Sequence, residues 1–343
     1  MATIKTDDGV QLHYEEAGDG TAMVFVHEFA GDHRSFEPQM RHFARRYRCI
    51  AYNARGYPPS EVPEAVASYS QDRARDDIVA VLDGLSIERA HVVGISMGSL
   101  ATLHFGLHYP DRARSLVLGG CGYGALHSEQ DQFRSESAGF AQRIESEGMF
   151  AVAGEYGSGP TRVQFENKDP RGFAEFVEML AEHSSLGSAN TLRGVQMNRP
   201  SIYDLRQPLT QLTVPTLIMA GDEDEPCLDA SLYLKRTIPS SGFALLPNTG
   251  HALNLEEPGL FNQLVDDFVH RVDVGHWDLR DPRSVGHSML SQKEAGSKKF
   301  RGAVEQQFEA CEEQQDIADS VKECLRHDPV HPDAEPHTDG RER

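Results

Sequence analysis

His91-Val92-Val93-Gly94-Ile95-Ser96-Met97-Gly98-Ser99 is the stretch on which the reading of this chain turns. Small and β-branched residues lead into Gly94-Ile95-Ser96-Met97-Gly98, and an apolar helical pattern through Leu100, Leu103, Phe105 and Leu107 follows. The order is strand, very tight turn, helix. A serine at the tip of such a turn is held in a strained conformation, and the flanking glycines let strand and helix approach closely. Its hydroxyl stands over the helix N-terminus, where free N–H groups and the helix dipole favour developing negative charge. Ser96 is therefore placed as a nucleophile.

Outward from that elbow, strands alternate with helices. Val10 to Tyr14 alternates after Asp8-Gly9 and suggests an early antiparallel strand, whereas Met23 to His27 is a continuous apolar run suited to a strand buried on both faces. A helix through Met40 and Phe43, a strand at Cys49 to Tyr52 and a helix from about Ser70 to Leu85 precede the elbow. Ser115 to Gly120 is the next strand. Such βαβ alternation requires a parallel sheet wrapped by helices. From Cys121 to about Pro208 the pattern lapses into amphipathic helical stretches such as Phe173 to Leu180, read as a helical lid inserted over the strand ends. Strands return at Thr216 to Ala220 and Phe243 to Leu246, and a last core helix starts at Pro258 and buries Phe261, Leu264, Val265 and Phe268.

The division that follows is 1–120 for the first part of the core, 121–208 for the lid, 209–275 for the second part of the core and 276–343 for an extension. Within the extension, His276 to Arg280 could still pack on the body, Ala303 to Leu325 reads as one helix with a weak apolar stripe, and His327 to Arg343 is expected to be disordered. His327, His331 and His337 are read as solvated rather than as metal ligands, because Pro329 and Pro332 interrupt any helix that would align them.

Acidic residues outnumber basic ones 53 to 33 in the 343-residue chain, for a formal charge of −20. A polyanionic surface repels nucleic acid and anionic lipid, so neither is expected as a partner. No stretch approaches the roughly 18 apolar residues of a membrane span. No secretory signal is visible at the start, and Cys49, Cys121, Cys227, Cys311 and Cys324 lack Cys-x-x-Cys spacing. Reduced thiols in a cytoplasmic protein are the expectation. Without a phosphate loop, dinucleotide fingerprint or metal cluster, no cofactor is expected, and the partner is a small-molecule substrate.

A serine hydroxyl needs a base to take its proton and an acid to orient that base. Both belong in loops after later strands, in the order serine, acid, histidine. Among 16 histidines, only His251 follows a buried strand through a Gly hinge, Pro247-Asn248-Thr249-Gly250-His251, just before the last core helix. The acid lies in Gly221-Asp222-Glu223-Asp224-Glu225, where nothing in the run itself separates Asp222 from Asp224.

Together His27-Glu28-Phe29, Arg55-Gly56-Tyr57 with Ser60, Gly94-Ile95-Ser96-Met97-Gly98, Gly221 to Asp224 and Gly250-His251 with Glu256-Glu257-Pro258 resemble the α/β-hydrolase superfamily over residues 8 to 275. The resemblance implies a mostly parallel, eight-stranded-type sheet flanked by helices, with Asp224, three residues after the glycine, as the acid. It also implies an oxyanion hole built from the Met97 amide and one from the loop after Val26, chosen here as Phe29. The chain departs from the family at Glu28, where glycine is usual; the side chain is expected to point outward, toward Arg34 or Arg55, and so spare the oxyanion. Ser99 also replaces a frequent glycine.

The function expected is a serine hydrolase acting on a small carboxylic ester or lactone, in flavour closest to enol-lactone hydrolases around Leu82 to Gly98. A perhydrolase or carbon–carbon bond hydrolase would use the same groups. A non-catalytic binding or scaffolding relative, with the added C-terminal helix serving a partner or a homo-oligomer, is the reading from another class. Phe29, Met97, Met149, Phe150 and Phe176 are the apolar candidates for a pocket lining.

Overall fold

Strand after strand in this chain is buried along its whole length, as only a sheet covered on both faces permits. The structure, a computed structural model, describes residues 2–286. Among these, eight strands form one sheet: β1 (Thr3–Lys5), β2 (Gln11–Ala17), β3 (Ala22–Val26), β4 (Arg48–Tyr52), β5 (Ala90–Ile95), β6 (Ala113–Gly119), β7 (Thr216–Gly221) and β8 (Ser241–Leu246). Their spatial order is β1-β2-β4-β3-β5-β6-β7-β8. β1 and β2 are antiparallel additions at one edge, and the strands from β4 to β8 run parallel. The first of these, β1, is too short to leave a periodic signal in the sequence.

The helices are α1 (Glu37–Phe43), α2 (Gln71–Gly84), α3 (Met97–His108), α4 (Gln130–Glu147), α5 (Met149–Gly157), α6 (Val163–Lys168), α7 (Pro170–Ala181), α8 (Ser185–Thr191), α9 (Arg206–Gln211), α10 (Glu225–Thr237), α11 (Leu253–Glu256) and α12 (Pro258–Asp273). Strand periodicity assigns them to layers. In β3, Val24 and Val26 face the cluster built with Ile78, Val81, Leu103, Phe105 and Leu234 of α2, α3 and α10, while Met23 and Phe25 face Phe36, Phe43, Phe261 and Phe268 beside α1 and α12. A third cluster joins Phe29, Tyr57 and Met97, at the C-terminal strand ends, to Ile144, Val152, Phe176 and Leu180 of the helices between β6 and β7. That insertion thus roofs the elbow.

Met1–Arg280 make one compact unit. Its end is pinned by Trp277, whose indole donates to the Ser240 carbonyl at 2.7 Å and whose ring meets Phe268 edge-on at 4.6 Å. Beyond it the described residues form a short 3-10 turn, Pro282–Ser284, capped by Asp281. The helix expected at 303–325, the tail with its three histidines, Cys311 and Cys324 lie outside the described residues.

At the elbow, glycine is required by space. A Cβ on Gly98 would lie 2.1 Å from the Val26 carbonyl oxygen, and one on Gly94 would lie 2.3 Å from the Gly98 carbonyl oxygen. Neither neighbour is a flexible side chain. Gly98→Ala is expected to destabilise the protein by about 1–3 kcal/mol, the range for overpacking a tight site. Gly139, inside α4 with nothing within 4 Å of its Cβ position, is the control. Gly139→Ala is expected to stabilise by about 1 kcal/mol. Paired thermal melts check both signs.

Candidate active site

Ser96 sits between the last residue of β5 and the first of α3 with φ 53° and ψ −114°, a backbone conformation that side-chain-bearing residues rarely adopt. The half-turn lifts its side chain off the sheet: Ser96 is half-buried while every residue of β5 is buried. Ser99, fully buried one turn on, donates its hydroxyl to the Ser96 carbonyl at 2.7 Å and so ties the elbow to the helix.

The acid and base arrive from neighbouring loops. After β7, a turn closed by the Asp224 amide on the Gly221 carbonyl (3.2 Å) returns the chain, burying Asp224 completely while Asp222, Glu223 and Glu225 stay exposed. After β8, the loop Pro247 to Gly250 delivers His251, only 6% exposed. Nε2 of His251 lies 2.7 Å from Ser96 Oγ and Nδ1 lies 2.7 Å from Asp224 Oδ2. The structure therefore brings Ser96, His251 and Asp224 into one hydrogen-bonded line and leaves Asp222 outside it, accepting from the Thr249 amide at 3.1 Å.

Burial opposes charging the His251 ring, yet the Asp224 carboxylate beside Nδ1 outweighs it and the net direction of the imidazole pKa is up. Burial likewise works to raise the Asp224 carboxyl, and the His251 charge and hydrogen bond, the Cys227 thiol and Arg162 more than offset it, so its direction is down. The two shifts express one interaction. A base must be neutral to accept a proton, so for a hydrolysis that uses His251 the acidic limb of kcat/KM against pH should have its midpoint above the roughly 6.5 of a free imidazole. A pH–rate profile measures it directly.

Met97 is the first residue of α3, where an amide has no carbonyl one turn back to bind. Neither its amide nor that of Phe29 donates to a protein acceptor among the described residues. The 27–31 loop is held from three sides. His27, kept neutral by burial, bonds the Glu28 carbonyl through Nδ1 at 2.7 Å and accepts the Ala54 amide at Nε2 at 3.0 Å, and Tyr57 donates to the Phe29 carbonyl at 3.0 Å.

Glu28 corrects the expectation. It does not point outward: it is 4% exposed, and its Oε2 is bonded by Arg162 of the insertion. Arg34 instead pairs with Asp32 and Glu182, and Arg55 with Asp8 and Asp77. Of the apolar lining candidates, Phe29, Met97, Met149 and Phe176 lie in the buried cluster beneath the insertion, but Phe150 is 85% exposed and lines nothing. Sequence reading passes over Arg162, whose partner is 134 positions away and which has no local motif to mark it. Among the described residues, donor atoms close enough for a metal occur in Asp224, Cys227 and His251, all within 4.8 Å of one another, and in His13, Glu15 and His33. In the first set, the histidine and carboxylate already bond each other.

Residues 21–143, which span the elbow and the loop after β3, match the family model for the alpha/beta hydrolase fold. The chain has the α/β-hydrolase fold. It is 26% identical over 264 residues to 3-oxoadipate enol-lactonase 1 of Acinetobacter baylyi, covering 77% of this chain and 93% of the relative. It is 29% identical to a 2-hydroxy-6-oxononadienedioate/2-hydroxy-6-oxononatrienedioate hydrolase of Paraburkholderia xenovorans, over 78% of this chain and 93% of the relative. Among solved structures, a thermophilic esterase from Thermogutta terrifontis superposes with a TM-score of 0.70 at 26% identity, covering 79% of this chain and 98% of the esterase. No helix among the described residues is long and apolar enough to cross a membrane.

Proposed function

We propose that this protein is a serine hydrolase that cleaves a small carboxylic ester or lactone through an acyl-enzyme. The observation that carries the reading is the unbroken line from Ser96 Oγ through the His251 ring to Asp224 Oδ2, two contacts of 2.7 Å each. As Ser96 attacks the carbonyl carbon, His251 Nε2 takes its proton, and Asp224 stabilises the imidazolium that forms. The oxyanion is met by the Phe29 and Met97 amides. Collapse of the tetrahedral intermediate returns the proton from His251 to the departing alkoxide, which for a lactone remains tethered as the far end of the acyl chain. Water, deprotonated by the same ring, then attacks the acyl-enzyme, and the ring returns that proton to Ser96 Oγ as the acid is released. The enol-lactonase and esterase named among the relatives support this substrate class.

The 29% identity to the 2-hydroxy-6-oxo-dienedioate hydrolase supports a second reading, carbon–carbon bond hydrolysis by the same three side chains. A panel of esters and lactones of graded acyl size, with a vinylogous 1,5-diketone added, separates the two by product. A fluorophosphonate probe, followed by mass mapping of the labelled peptide, is expected to modify Ser96. A wild type that neither labels nor turns over any panel member overturns both enzymatic readings in favour of a binding relative.

A further inference from the structure

Glu28 and Arg162 are each other's only ion-pair partner among the described residues. Both are buried, at 4% and 5% exposure, and the guanidinium lies 5.3 Å from the Tyr156 ring centroid and 5.5 Å from that of Phe176. Burying two charges is unfavourable unless each compensates the other, so the pair must have a use or be a burden. Its position supplies the use. The Tyr156 ring meets Phe29 edge-on at 5.5 Å, and the Thr161 carbonyl, next to Arg162 in sequence, accepts the His251 amide at 2.8 Å. A Cβ on Gly250 would lie 2.1 Å from that same carbonyl, so the insertion presses directly on the histidine loop. The short turn at 160–162 therefore touches the loop bearing the base and the loop bearing the candidate oxyanion amide.

We propose that Arg162 is a positioning residue: it cancels the charge of Glu28 beside the Phe29 amide and clamps the oxyanion loop to the histidine loop. The inference rests on the acyl-transfer reading above. An uncompensated Glu28 would oppose negative charge developing on the carbonyl oxygen and stabilise the His251 imidazolium; an uncompensated Arg162 would do the reverse. His251 feels both, with opposite sign, alongside the charges and titratable groups Asp224, Cys227 and Glu256 around it. Only the balanced pair leaves the base undisturbed.

Removing each charge separately and then both tests this. Arg162→Met is expected to lower kcat/KM by about 10²-fold, the loss of one oxyanion donor, and to move the acidic limb to higher pH. Glu28→Gln should move that limb to lower pH. In the double variant Glu28→Gln/Arg162→Met, both limb position and rate return toward wild type, an outcome that lost packing alone would not produce. Arg162→Lys, which keeps the charge, should keep the limb in place. If Arg162→Met fails to fold, recovery of soluble protein in the double variant is the expected sign of charge compensation, and the Glu28→Gln limb still reads the electrostatics. A double variant no better than Arg162→Met, or a limb that Glu28→Gln leaves unmoved while wild type labels with the fluorophosphonate, overturns this proposal alone. A wild type that neither labels nor turns over overturns the acyl-transfer reading and, with it, the positioning role.

Discussion

Alanine at position 96 is expected to lower kcat by roughly 10⁴–10⁶-fold and to abolish fluorophosphonate labelling while the melting curve stays near that of the wild type. The rate falls because the Ser96 hydroxyl is the group that His251 Nε2 meets, at 2.7 Å. Stability should survive, since alanine carries the same Cβ into the φ 53° conformation and the Ser96 side chain makes no other hydrogen bond within the described residues. What remains is catalysis by the amides and by binding alone. Hydrolysis by Ser96→Ala within tenfold of wild type would mean that another nucleophile does the work.

The second large effect separates two neighbouring carboxylates. Asp224→Asn is expected to cost about 10⁴-fold in kcat at unchanged fold, because an amide facing His251 Nδ1 no longer selects the tautomer whose Nε2 is free to accept a proton. Asp222→Asn should cost less than tenfold. Asp222 is exposed and holds only the Thr249 amide, a bond whose net contribution to stability is about 0.5–1.5 kcal/mol. Steady-state rates of both variants, with circular dichroism to confirm folding, decide between them. Equal losses in the two would break the assignment of the acid.

The contrast between those two residues shows how far a sequence can be read here. Strand and helix positions follow from burial on both faces of a parallel sheet, which writes continuous apolar runs such as Ala22–Val26 and Thr216–Gly221. The elbow follows from glycines that space alone requires. Choosing within Asp222 to Glu225 needs the turn that folds Asp224 back under His251, and four adjacent carboxylates carry no periodicity that would announce it. The helix α8 is as hard to see: Gly187, Ser188, Ala189 and Asn190 are all buried, yet they are small or polar and make no apolar stripe. They are buried because Gly187 approaches the Gly56 carbonyl so closely that a Cβ would lie 1.9 Å from it, and because Asn190 donates to the Pro63 and Glu64 carbonyls. The partner of Glu28 is invisible for a different reason, since ion pairs across 134 positions leave no local trace.

The clasp at 160–162 bears on any attempt to re-engineer selectivity. The helices between β6 and β7 cover the elbow and are the natural cassette to exchange, yet this cassette also supplies the carbonyl that holds the His251 amide and the guanidinium that meets Glu28. A chimera that imports a foreign cassette would strand a carboxylate beneath the roof and loosen the imidazole loop at once. Grafts that retain Pro160, Thr161 and Arg162, or that restore glycine at position 28, are the ones expected to leave the hydrogen-bonded line of Ser96, His251 and Asp224 in place.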